Sequence, residues 1–155
     1  MQKFIFSGVV FFSLLIHSFS QNTNTTVSPS PEEYSGNVYK VVGQMPRFPG
    51  CEEIIGTDNE KGKCSKQKML DFIYTNLEYP EAARIKKIEG MSVVQFIIEK
   101  DGTVRNSKVV RSLGIEIDQA ALDVVGSFPN WISGEHQGNP VRVQITLPIK
   151  FKLEK

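Results

Sequence analysis

The stretch Val141-Arg142-Val143-Gln144-Ile145-Thr146-Leu147-Pro148-Ile149-Lys150-Phe151-Lys152-Leu153 is apolar at every odd position and polar or proline at every even one. Side chains alternate faces along a strand, so the pattern predicts one long strand with a buried face and a wet face. Pro148 has no N–H to give a ladder, which confines such a residue to an edge strand or a bulge. Backbone groups alternate laterally as well, so Arg142, Gln144, Thr146, Pro148 and Lys150 share one edge. An edge of this kind either accepts another chain's strand or is guarded against one by its lysines and proline. The pattern alone leaves both readings open.

Working back from this strand, Trp131 reads as a packing anchor, and the polar run through Gly134 and Gly138-Asn139-Pro140 reads as a loop. Upstream, Ala121, Leu122, Val125 and Phe128 form an apolar stripe on a helix capped by Asp118 and ended by Pro129. Residues 92–99 alternate as a strand with Val94, Phe96 and Ile98 on one face. Lys100-Asp101-Gly102-Thr103 is a hairpin turn, and residues 104–111 return with an alternation broken enough to require a bulge. Ser65 is the expected N-cap of a helix carrying Met69, Phe72, Ile73 and Leu77, stopped by Tyr79-Pro80. A second short helix covers 81–87, with Ala83 and Ile88 inward and Gly90 at its end. Met45-Pro46-Arg47-Phe48-Pro49-Gly50 is an extended, docked segment, and residues 38–42 are a candidate strand. The fold class expected is α+β. Its core is a three-stranded antiparallel sheet packed against two or three helices, with an extra short N-terminal strand as an option.

The first twenty residues have the pattern of a secretory signal peptide, or alternatively a short signal anchor: Lys3, an apolar run over 4–16, and small residues at Ser18 and Ser20. Residues 21–37 are poor in apolar side chains and read as a disordered tether, leaving 38–155 as the folded domain. Without Lys3 the remainder carries seventeen basic and seventeen acidic residues. That neutrality argues against a nucleic-acid partner. Cys51 and Cys64 are the only cysteines, and two cysteines in an exported chain are expected to pair. Only His136 would survive processing, too few ligands for a zinc site, so no metal site is expected.

Four segments together resemble the TonB C-terminal domain of Bacteroidetes-type energy transducers. They are Met45-Pro46-Arg47-Phe48-Pro49-Gly50-Cys51-Glu52; Tyr79-Pro80-Glu81-Ala82-Ala83-Arg84; Gly90 through Lys100-Asp101-Gly102-Thr103-Val104; and Pro140-Val141-Arg142-Val143 running to Leu147-Pro148-Ile149-Lys150-Phe151. The resemblance spans about residues 38–155. It implies a periplasmic or envelope domain that grips the TonB box, an extended peptide of outer-membrane receptors, by strand addition along the C-terminal strand. Carried onto this chain, the gripping edge is Arg142, Gln144, Thr146, Pro148 and Lys150. Asn76, Glu78, Tyr79 and Pro80 fall where the family also contacts the peptide. A 17-residue tether reaches roughly 60 Å at most. With signal cleavage, this makes an inner-membrane motor a doubtful partner.

No nucleophile elbow, metalloprotease helix, phosphate-binding loop or dinucleotide fingerprint occurs, and no catalytic residue or cofactor is expected. Glu32-Glu33 and Glu52-Glu53 read as solvated surface, as do Lys61, Lys63, Lys66 and Lys68. Two expectations stand: a module that binds a receptor peptide at the open edge, or an envelope protein that uses the same edge to form a homodimer.

Overall fold

A computed structural model describes residues 36–153. The expected signal segment and nearly all of the expected tether lie outside the described residues. The elements run β1 (Val38–Tyr39), α1 (Asp58–Asn76), α2 (Glu81–Ile85), β2 (Gly90–Ile98), β3 (Val104–Arg111), α3 (Ile115–Gly126), β4 (Gly134–His136) and β5 (Asn139–Phe151). The antiparallel trio β5-β2-β3 forms the sheet, with helices on one face, as the alternation predicts. Two short strands are added to it: β1 lies parallel to the start of β5, and β4 forms a hairpin with it.

The core follows the sequence pattern. Val94, Phe96 and Ile98 of β2 lie opposite Leu147, Ile145 and Val143 of β5. All of these but Val143 pack with Ile73, Ala83, Ile117, Ala121, Val124 and Val125 of the helices. Phe48, from the proline-bracketed segment, enters an aromatic cluster with Phe72, Phe96, Phe128 and Trp131, whose rings stand 5.5–6.0 Å apart. Trp131 is a packing anchor as expected. That burial, together with backbone bridges from Gln44 to Glu135 and from Arg47 to Ile132, docks the 44–48 segment.

Several expectations need correction. Helix α1 begins at Asp58, not at Ser65, because Thr57 and Glu60 form a capping box. The Glu60 carboxylate accepts from the Thr57 N–H and hydroxyl, and those bonds hold its pKa below the usual range. The first turns of α1 are polar all round, so no apolar periodicity announces them, and Ser65 is a buried residue inside the helix. Gly90 does not end α2; it opens β2 at φ 151°, where an added Cβ would stand 2.9 Å from the Leu113 side chain. The β2–β3 turn has only Gly102 at positive φ, with Gly102 N–H bonded to Glu99 O and Glu99 N–H to Thr103 O. The expected hairpin is thus a three-residue one with a glycine bulge. The irregularity expected in β3 is real: register slips on both sides of Gln95 and Val94, and Asn106 takes φ 53°.

Helix α3 starts after Gly114, one turn before Asp118. Asp118 instead reaches back to the Leu113 N–H and the Ser92 and Ser112 hydroxyls. Burial pushes its pKa up, but these bonds outweigh it and leave the carboxyl below its ordinary value. The buried face of α3 is Ile117, Ala121, Val124 and Val125, with Leu122 only partly covered. Strand β5 starts at Asn139, because Gln137 and Gly138, at φ 53° and 77°, turn the expected polar loop into a tight hairpin.

Candidate functional site

The backbone hydrogen bonds fix which way β5 faces. Glu99 turns its N–H and C=O toward the β3 side, so Ile98, one residue back, turns its own toward β5 opposite Val143. The β2–β5 register is continuous from Gly90↔Phe151 to Ile98↔Val143, so every odd residue of β5 from Val143 to Phe151 bonds β2. The even residues point the other way. Pro148, lacking an N–H, falls in the even set, where no ladder bond to β2 is lost.

On that outer edge, β1 pairs only with Arg142 and Val143. The chain then leaves the edge after Tyr39 to bridge β4 through Gln44. From Ile145 to the end of β5, no strand among the described residues occupies the outer edge. The Thr146 and Lys150 N–H groups and the Thr146, Pro148 and Lys150 carbonyls are turned outward there.

Arg142 departs from the expected row. Its outward backbone is taken by β1, and its side chain is buried, donating from Nε and Nη2 to both Glu99 oxygens at 2.8 and 2.9 Å and from Nη1 to Gly36 O. Glu99 sits directly across from it and is fully buried. The pair is a bidentate ion pair in the fold, and the open row is Gln144, Thr146, Pro148 and Lys150.

Beside this row lies a groove of about 400 Å³. Ile145, Thr146 and Leu147 form one side, and residues 43–47 line it further. Gly62, Ser65, Lys66 and Met69 of α1 also face it, together with Trp131. The Cys51–Cys64 disulfide, Cα atoms 6.1 Å apart, ties α1 to the end of the docked segment whose residues 43–47 line this groove. An Arg47–Asp58 ion pair of 3.4 Å connects the same two pieces. The cysteine pairing is as expected; the groove it braces was not legible in the sequence.

The other expected contact residues lie elsewhere. Asn76, Glu78, Tyr79 and Pro80 line a separate cleft of about 590 Å³ with Glu116, Gln119 and Asp123 of α3, sharing no residue with the first groove. Tyr79 has a packing role. Its hydroxyl donates to Ile88 O, its ring stands 5.7 Å from Phe151, and the Arg84 guanidinium lies 5.8 Å over it. Burial raises the phenol pKa. Among the described residues no cluster of side chains could hold a metal ion, and no helix is long and apolar enough to cross a membrane.

The chain is 34% identical over 79 residues to protein TonB of Vibrio cholerae and 32% identical over 89 residues to protein TonB of Helicobacter pylori. These stretches are 49% and 57% of this chain but only 31% and 30% of the relatives, so the chain spans under a third of their length. A solution structure of the Helicobacter pylori TonB C-terminal domain aligns over 58% of this chain and 95% of that domain, at 30% identity and a TM-score of 0.46. Residues 75–153, about half of the chain, match the family described as Gram-negative bacterial TonB protein C-terminal. The chain belongs to the TonB C-terminal domain family.

Proposed function

We propose that this protein holds an extended peptide of an outer-membrane TonB-dependent receptor, added as a strand along the outer edge of β5, in transport across the outer membrane. The observation that carries the reading is the outward row from Thr146 to Lys150, left without a strand partner where β1 turns away. Strand addition satisfies such a row with main-chain hydrogen bonds, and neighbouring pockets then select side chains. The opposite edge of the sheet is poorly suited to the task. β3 is kinked by two register slips and carries Arg105, Lys108 and Arg111, the usual devices that keep an edge from pairing. The site is Gln144, Thr146, Pro148 and Lys150, in a protein exported to the periplasm or cell envelope.

The test is an amide titration. The isotope-labelled protein is mixed with a peptide copying the N-terminal segment of such a receptor. The expected result is saturable shifts at Gln144, Thr146 and Lys150, with β3 amides unmoved. Shifts confined to the Glu78–Asp123 cleft, or none at millimolar peptide, would overturn the reading. Concentration-dependent dimerisation through the same amides, indifferent to peptide, would replace the receptor segment by a second copy of this chain.

A further inference from the structure

We propose that residues 43–69 convert the open edge into a side-chain-selective site, in which an added strand must place an apolar side chain in the groove beside Thr146. The inference rests on the strand-addition reading and adds the chemistry of the partner. The groove is floored by apolar groups: Met45, Met69, Trp131, Ile145 and Leu147 all line it. It opens beside the outward Thr146 backbone, so a strand paired there carries every second side chain to one face and can direct one of them inward.

Part of the groove's lining lies upstream of the part of the chain that matches the family. That match begins at residue 75, whereas the groove is completed by residues 43–47 and by the part of α1 around Gly62 and Met69. Those upstream walls are braced by Cys51–Cys64.

Gly62 is the second observation. It lies inside α1, where glycine is unfavourable relative to alanine. It takes no positive φ, and a Cβ built on it would meet nothing within 4 Å. Neither backbone conformation nor close packing requires a glycine there. What it does is line the groove and leave its space open.

The experiment uses the full chain and the receptor-segment peptide of the titration above, scanned position by position with Leu, Ala and Asp. Trp131 is the only tryptophan and lines the groove, so its fluorescence reads occupancy alongside calorimetry. At one position, Leu→Ala in the peptide is expected to weaken binding about fivefold or more, in line with the loss of a buried aliphatic group, and Asp further still. The Gly62→Leu variant should fill the groove, improve helix propensity and bind the Leu and Ala peptides equally. If the peptide binds the β5 edge but every scanned position is indifferent, the pocket is overturned while the strand reading stands. If the Leu preference survives unchanged in Gly62→Leu, the pocket is wrongly placed. If no peptide binds, both fall together.

Discussion

Arg142 shows how a residue's role can differ from the one its pattern announces. In the alternation it is the first polar member of the outward row, yet it is buried with Glu99 and held by two short hydrogen bonds. Removing one partner of a buried ion pair strands the other charge, whereas removing both can be nearly neutral. Arg142→Ala is therefore expected to lower stability by about 3–5 kcal/mol in urea unfolding, and the joint Glu99→Met, Arg142→Met variant to recover most of that. If Arg142→Ala instead leaves the unfolding midpoint in place and abolishes peptide binding, the side chain is a contact after all. The sequence could not reveal this pair, because the two residues are 43 positions apart and meet only through the β2–β5 register. By contrast the odd residues of β5 and the even residues of β2 were legible one by one. Burial on a strand is set by parity, and parity is written in the local sequence.

At the scale of elements, α1 is where local patterning and structure part. Its apolar stripe at Met69, Phe72, Ile73 and Leu77 was readable, but its first turns are polar, held by the Thr57–Glu60 capping box and by Cys64. An amphipathic pattern marks only the part of a helix that touches the core. The β4–β5 hairpin was hidden for a related reason, since Gln137-Gly138 is a weaker turn signal than Asn-Gly. The disulfide has an element-scale consequence. It closes a loop with a sequence separation of 13, for which chain entropy suggests about 3 kcal/mol. The β2–β5 ladder does not run through that loop. Reduction is expected to speed hydrogen exchange at residues 58–66 and around Phe48, leave β2 and β5 amides protected, and weaken peptide binding as the groove wall loosens. A uniform rise in exchange across the sheet would show that the disulfide secures the whole domain.

At the scale of the molecule, both sides of the sheet are edges: β3 is kinked and carries cations, and β5 is covered by β1 only at Arg142 and Val143. The trio β5-β2-β3 with helices on one face could be argued from alternation, turn residues and helix caps. The occupation of each edge could not, because it depends on where β1 stops pairing and where residues 43–47 travel afterwards. β1 covers only Arg142 and Val143, and the lane beyond it is flanked by the groove. Thr146 lies at the middle of that lane, exposed, with its backbone turned outward and no part in the β2 ladder. A proline there removes a single outward N–H and repeats what Pro148 already does two residues on. Thr146→Pro should therefore leave the denaturation midpoint within about 0.5 kcal/mol of the parent while weakening receptor-peptide binding tenfold or more. A Thr146→Val control, which keeps the N–H, should bind like the parent. Loss of binding in both variants would assign the contact to the threonine hydroxyl, and retention in both would mean that the peptide does not pair along this edge. Only the split between the two variants fits a protein that grips its partner through the backbone of its last strand.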